Sequence, residues 1–374
     1  MIDPKTYLAN LQKNDINFFS GVPDSLLKQF CACIQNECKP ENHIIAANEG
    51  GAIGLAIGYH LGSGKVPMVY LQNSGVGNTI NPILSLASNE VYGIPMIIMV
   101  GWRGEPGIKD EPQHIHQGRV MIESLQAMDI DFKILSTEEN EAINQTKDAI
   151  ELAKDTKSPI FLIVKKDSFS SAEPFKKNVN LKLSREEAIV AATKAINDDS
   201  LVVCTTGMPS RELFEFRALN KQGHFKDFLT VGGMGHASQI AMGLSLTQQK
   251  RKIYCFDGDG AAIMHMGSLA IIGQSSRENL THIIFNNGVH DSVGGQPTVG
   301  FEIDFCGIAK ACGYRSAKVS ASIEEISSAI RSTERQKGPH LIEIHVRPGN
   351  KKGIGRPTKS PSENKIAFMK NTQQ

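Results

Sequence analysis

Short apolar runs alternate along the chain with longer stretches of mixed polarity. In the first half the runs are Ile16–Ser20, His43–Ala47, Pro67–Leu71, Pro95–Val100 and Pro159–Val164. Between them lie helix-like stretches such as Ser25–Asn36, Thr79–Ser88 and Glu139–Lys154. The second half repeats the plan with Leu201–Thr205, Lys252–Phe256, Leu280–Asn286 and His340–Val346. Such alternation predicts parallel strands covered by helices on both faces, an α/β fold of two doubly wound parallel-sheet domains. The halves also close alike: a helix end, a turn at Ser158-Pro159 or Gly338-Pro339, then a strand. Domains of similar topology are therefore expected over 1–166 and 184–346. The polar stretch 167–183, with Pro174 and several lysines, reads as a linker too short for a middle domain. Residues 347–374 read as a C-terminal tail. It ends in a helical signal, Ser360-Pro361-Ser362-Glu363 before Asn364–Lys370.

Composition narrows the class. The chain has 374 residues, 40% hydrophobic and 21% charged, which reads as globular. A net charge of +1 gives no reason to expect nucleic acid or a membrane surface as partner. Seven scattered cysteines with no C-x-x-C pair read as reduced thiols. The first residues lack the basic-then-apolar plan of a signal peptide, and no run of about 18 apolar residues exists. A cytoplasmic location is expected.

The chemistry concentrates at two strand ends. Asp257-Gly258-Asp259-Gly260 follows one apolar run and precedes the helical run Ala261–Gln274. A glycine turn there lets backbone approach a phosphate, and a helix start favours anions. Asp259 offers a hard carboxylate oxygen. Twenty-five residues separate Gly260 from Asn286, one helix plus one strand, and the chain returns with Asn286-Asn287. Asn287 supplies an amide oxygen and Val289 a carbonyl, a donor set suited to Mg²⁺. In the first half, Glu49 stands where a strand ends and the helix Ala52–Leu61 opens. A carboxylate there stands near the sheet's functional edge; an ordinary first-turn acid favoured by the helix dipole is the alternative. Asp24 follows the first strand, where it or Ser25 also suits a helix cap. The segment Trp102–Arg119 is unusually charged. If His114–His116 is extended, the two imidazoles share one face; incidental surface histidines are the alternative for His116.

The Gly258–Asn287 pair resembles the binding motif of thiamine-diphosphate (ThDP)-dependent enzymes, and other segments resemble the 2-oxo-acid decarboxylases among them. The matching stretches include Gly21–Ser25, Gln72–Asn78, Gly101–Gly118, Val231–Ala237, Asn286–Thr298 and Gly355–Thr358. Lacking a middle domain, the chain resembles the compact members that act on phosphonopyruvate or sulfopyruvate. The resemblance implies ThDP and Mg²⁺ as cofactors. The cofactor residues would be Glu49, Gly232, Gly233, Met234, Gly258, Asp259, Gly260, Ala261 and Asn287, and the metal ligands Asp259, Asn287 and Val289. Met234 would prop the cofactor in its bent form, and Glu49 would bond its aminopyrimidine so that the thiazolium carbon becomes an ylid. Asp24, His114 and His116 would handle protons, although yeast-type pyruvate decarboxylases carry adjacent histidines instead. Asp291, Ser292 and His290 would help hold or protonate the intermediate. The implied substrate is a small 2-oxo acid with a second anionic group, met by Ser25, Ser74, Asn78, Arg103, Lys109 and Arg356; each basic residue also fits a solvated surface. A homo-oligomer with sites at subunit interfaces is implied. Rival readings are a sulfopyruvate decarboxylase, an acetolactate-type ligase, a catalytically silent ThDP-like subunit and a nicotinamide dehydrogenase. The last lacks its G-x-G-x-x-G turn.

Overall fold

The computed structural model describes residues 1–175, 179–351 and 353–373. The chain divides into two compact units: Met1–Lys176 with Ser292–Gln296, and Lys177–Asp291 with Pro297–Gln374. The first carries β1 (Phe19–Gly21), β2 (His43–Ile45), β3 (Met68–Gln72), β4 (Met96–Gly101), β5 (Phe132–Ile134) and β6 (Pro159–Val164). The second carries β7 (Leu201–Cys204), β8 (Asp227–Leu229), β9 (Ile253–Gly258), β10 (Leu280–Asn286), β11 (Ser316–Ser320) and β12 (His340–His345).

Each unit holds one six-stranded sheet, with strand orders β2-β1-β3-β4-β6-β5 and β11-β12-β10-β9-β7-β8. Every named pairing is parallel. Reading the second order from its other end gives the first again, so both units share one topology. In each, the winding reverses between two central strands, β1 and β3 or β7 and β9. The crevice outside the carboxyl ends at such a reversal is where open α/β sheets take ligands.

Parallel strands buried on both faces must be apolar throughout, and β4 and β6 are fully buried. Alternate residues serve two cores. Tyr70, Met99 and Leu162 pack on one side of the first sheet, and Val69, Ile98 and Ile163 on the other. The second sheet divides likewise, with Phe256 and Ile283 facing one core and Cys255 and Ile284 the other.

Three expectations change. The stretch 167–183 is not all linker. Ile2 bridges to Phe169, which stacks on Phe30 at 5.3 Å, and Ala172 N–H donates to Gln29 at 2.9 Å. Apolar contact thus carries the first unit's surface well past residue 166, and residues 176–178 lie outside the described ones. The tail is also structured. Pro361–Thr372 is a helix with a Ser360/Glu363 capping box, and its Phe368 is buried in the second unit's core. Finally, His114 and His116 are not on an extended segment. Pro112–Ala127 is helical, with Pro112 in its first turn, so residues two apart point to different sides.

Candidate active site

In the first unit four adjacent strands, β2, β1, β3 and β4, deliver Glu49, Asp24, Asn73–Asn78 and Arg103 at their carboxyl ends. Glu49 opens the helix Glu49–Ser63, capped by Asn48, whose side chain accepts from Gly51 N–H at 2.8 Å. Its side chain is buried, 6% exposed, and its Oε2 accepts from Asn78 Nδ2 at 2.7 Å. Gly75 lies so close that a Cβ there would collide with the Glu49 carboxyl group. The backbone and Asn78 therefore fix this carboxylate before any ligand arrives. Asn78, expected to meet substrate, spends one amide N–H on Glu49.

Asp24 is fully buried. Its Oδ2 accepts from Leu26 N–H at 2.8 Å and Leu27 N–H at 3.2 Å, whereas Oδ1 has no hydrogen-bond partner among the described residues. Burial pushes this carboxyl up to about 6, against the opposing pull of the backbone donors and Arg103. Asp24 thus ties the turn after β1 rather than capping the next helix, whose N-cap is Leu27 without a side-chain cap bond, and keeps one oxygen unbonded.

Arg103 is half-buried and forked on Asp110: Nε reaches Oδ2 at 2.8 Å and Nη2 meets Oδ1. Its Nη1 donates to Ser25 Oγ at 2.7 Å. Asp110 also accepts from Gly104 and Glu111 N–H at 2.8 and 2.7 Å. Asn73 locks the loop start by exchanging bonds with the Arg103 backbone at 2.8 and 3.1 Å. Trp102 Nε1 donates to Gly118 O at 2.8 Å, tying the loop to the helix behind it. Burial, then the Arg103 charge, lowers His114 to about 4, so its imidazole is neutral near pH 7. His116 is exposed and accompanies Arg119, 3.1 Å away; Lys109 and Ser74 are exposed too.

In the second unit the corresponding strand ends carry the other half of the chemistry. The chain leaves β9 at Gly258 and enters the helix Asp259–Met264. Asp259 is 2% exposed. It accepts from the Thr298 hydroxyl and from the Asn287 backbone N–H, and burial pushes it up to about 6. Asn287 Oδ1 accepts from Val289 N–H at 3.2 Å. Asn286 braces the turn, donating to Gly300 O at 2.7 Å and Glu343 at 2.8 Å. Gly300 is required there, since a Cβ would stand 2.5 Å from both Asn286 Oδ1 and Asp259 Oδ2. Beside this crowded base, no atom of the described residues, apart from Gly258 and its chain neighbours, lies within 4 Å of where a Gly258 Cβ would project. The loop 232–236 packs against the same helix: a Cβ on Gly235 would sit 3.1 Å from Ala261 O. Met234 is half-buried in this loop, flanked by Gly233 and Gly235 with φ of 65° and 87°. A desolvated carboxylate, an amide oxygen and the Val289 carbonyl beside open space at a glycine turn fit a hard cation with a diphosphate. Arg356 is exposed in the segment after β12.

The structure thus gathers Asp24, Ser25, Arg103 and His114 into one group, Glu49, Gly75 and Asn78 into a second, and Asp259, Asn287, Val289 and Thr298 into a third. Sequence reasoning missed Asn73, Asp110 and Thr298 as supports. Asp110 had a local signal, an acid seven residues after Arg103 in a charged loop. Thr298 had none, because its partner is 39 residues distant.

Comparison with known proteins defines the class first. Residues 6–128 match the thiamine pyrophosphate enzyme N-terminal TPP-binding domain, and residues 205–344 match the C-terminal TPP-binding domain. Among relatives, the phosphonopyruvate decarboxylase of Streptomyces viridochromogenes is 31% identical, over 97% of this chain and 93% of its own length. The sulfopyruvate decarboxylase of Methanosarcina acetivorans is 27% identical over 97% of this chain and 96% of its own. A sulfopyruvate decarboxylase subunit beta from Methanococcus maripaludis is 33% identical over 50% of this chain and 97% of its own. The chain belongs to the phosphonopyruvate decarboxylase family of thiamine pyrophosphate enzymes.

Proposed function

We propose that the protein decarboxylates 3-phosphonopyruvate to phosphonoacetaldehyde and CO₂, using ThDP held with Mg²⁺. The observation that carries the reading is the Asp259–Asn287–Val289 oxygen set beside the open glycine turn, in a chain similar over nearly its whole length to a phosphonopyruvate decarboxylase. Gly258, Gly260 and Ala261 would offer backbone to the diphosphate, with Gly232, Gly233 and Met234 in the loop packed beside that turn. When bound, ThDP supplies the electron sink for the carbon that loses CO₂.

The remaining work belongs to side chains. Glu49, held by Asn78 against Gly75, presents a fixed carboxylate oxygen to the cofactor's ring. Asp24, protonated over part of the range near pH 6, carries a proton on a buried carboxyl with one unbonded oxygen. His114, neutral near pH 7, serves as a hydrogen-bond donor or acceptor without adding charge. Arg103, forked on Asp110, orders Ser25 and the loop, and Lys109 and Arg356, both exposed, remain proposed for the second anion. A homo-oligomer of dimer size or larger is supported by a run of exposed apolar side chains, Ile80, Leu84, Leu86, Val91 and Tyr92, just beyond Asn78. Among the described residues, no helix is long and apolar enough to cross a membrane; a cytoplasmic location is proposed from the sequence.

The test is aldehyde release by purified protein with ThDP and Mg²⁺, comparing phosphonopyruvate, sulfopyruvate and pyruvate. The highest kcat/KM is expected for phosphonopyruvate. A higher value for sulfopyruvate would move the protein to the substrate of its Methanosarcina relative, and no turnover of any would leave a silent subunit. Glu49→Gln is expected to reduce turnover by roughly 10²–10⁴-fold.

A further inference from the structure

Behind the Asn287 loop lies a polar network with no part in the chemistry described so far. Asn287 Nδ2 donates to Asp291 Oδ2 at 2.7 Å. The same oxygen accepts from Arg185 Nη1 at 2.9 Å. Gly349 N–H lies 3.1 and 3.2 Å from the two Asp291 oxygens. Arg185 is 5% exposed and is itself fixed: Nε and Nη2 reach Glu212 at 2.9 and 3.1 Å, and Nη2 reaches Asn350 at 2.6 Å. Glu212 is 2% exposed. Four segments thus converge on the Arg185–Asp291 pair: the helix starting at Arg185, the helix Met208–Leu219, the loop after β10 and the chain leaving β12.

An ionised carboxylate only accepts hydrogen bonds. Asn287 can therefore face Asp291 only with its NH₂ end. Turning the amide over would set Oδ1 against a carboxylate oxygen and cost one charge-assisted bond. The amide oxygen is consequently directed away from Asp291, toward the Val289 N–H, on the side of the proposed cation ligands. Arg185 matters because it anchors the Asp291 side chain, and Glu212 keeps Arg185 in place.

We propose that Asp291, anchored by Arg185, is a positioning residue that sets the Asn287 amide with its oxygen toward the metal. The inference rests on the Mg²⁺ reading above, and outer partners of this kind typically change metal affinity by 10–100-fold. It also reassigns Asp291, which the sequence suggested for the reaction intermediate.

The test uses full-length protein freed of metal and cofactor by chelation and dialysis. ThDP is titrated calorimetrically at a series of Mg²⁺ concentrations, which gives the Mg²⁺ needed for half-maximal cofactor binding. Thermal melting of the cofactor-free protein reports folding separately. Asp291→Asn is expected to raise the Mg²⁺ requirement roughly 10–100-fold, with binding recovered at high Mg²⁺. Arg185→Lys, which loosens the anchor while leaving Asp291 and Asn287 in place, is expected to raise the requirement in the same direction, by roughly 3–10-fold. A folded Asp291→Asn protein with an unchanged requirement overturns the inference alone. If that variant is unfolded, Arg185→Lys decides: a folded protein with an unchanged requirement overturns it. Wild-type protein whose ThDP binding is indifferent to Mg²⁺ overturns the metal reading and this inference together.

Discussion

Asp24 shows most clearly what a single residue costs and supplies. Its ordinary value is 3.8 and burial raises it to about 6 in the folded protein. Below pH 4 it is protonated both folded and unfolded, so it costs nothing electrostatic. Between pH 4 and 6 the folded state binds more protons than the unfolded one, and stability falls as pH rises. Above 6 the full cost is present, at most about 3 kcal/mol for a two-unit shift. Asp24→Asn is therefore expected to melt with wild type near pH 4 and well above it at pH 8, while losing turnover. Scanning calorimetry across that range checks the first half and the aldehyde assay the second. A variant destabilised at pH 8 would show that Asp24 serves the fold rather than the chemistry. At this scale the sequence was informative where chemistry is local. Glu49, Asp259 and Asn287 stand at strand ends beside glycines or asparagines that any reader can mark. Arg185, Glu212 and Thr298 could not be marked, because their partners are distant in the chain and only folding brings them near.

Among elements, the strands that sequence reading missed share a position. β5, β8 and β11 each lie at an edge of their sheet. An edge strand is paired on one side only and covered less, so it needs no continuous apolar run: Lys318 and Val319 of β11 are exposed. Central strands such as β10 are buried at all seven positions, and its predicted bounds agree with the observed ones. The reading failed differently at Ala261–Gln274, where the structure has two helices, Asp259–Met264 and Gly267–Gln274, because apolar spacing continues across the break at His265 and Met266. The helix Pro361–Thr372 was legible from its cap, but its docking was not. Asn364 accepts from Leu229 N–H at 3.1 Å and donates to Asp227 O at 2.9 Å, so it finishes the outer edge of β8. Phe368, 7% exposed, packs 5.7 Å from Phe228. Phe368→Ala is expected to destabilise the second unit by about 3–5 kcal/mol, measured by urea unfolding. Loss of under about 1 kcal/mol would mean that the helix rests on the sheet without supporting it.

For the whole molecule, the repeated strand order explains why two unlike sets of chemistry occupy equivalent positions. One sheet carries the Glu49 and Asp24 carboxylates at its winding reversal, and the other carries Asp259, Asn287 and the Gly258 turn. Sedimentation velocity at micromolar concentration is expected to show a dimer or larger assembly. Replacing both Leu84 and Leu86 with Glu is expected to shift it toward monomer and to remove activity in parallel. A monodisperse monomer that still decarboxylates at high dilution would refute that expectation.

The first unit is also discontinuous, since Ser292–Gln296 belongs to it. Gly294 of that segment lies against Lys28 and Gly295 near Phe175. On the ribosome, the amino-terminal residues of this unit are made about 115 residues before those five. At roughly 5–20 residues per second, the interval is about 6–23 s. That is ample for the six-stranded sheet to form, since single domains fold in microseconds to seconds. The nascent sheet thus waits for its last piece, and that piece follows directly on the Asn287–Asp291 loop. Completion of the first unit is therefore timed by synthesis of the Asn287–Asp291 loop, late in translation and only after most of the second unit has been made.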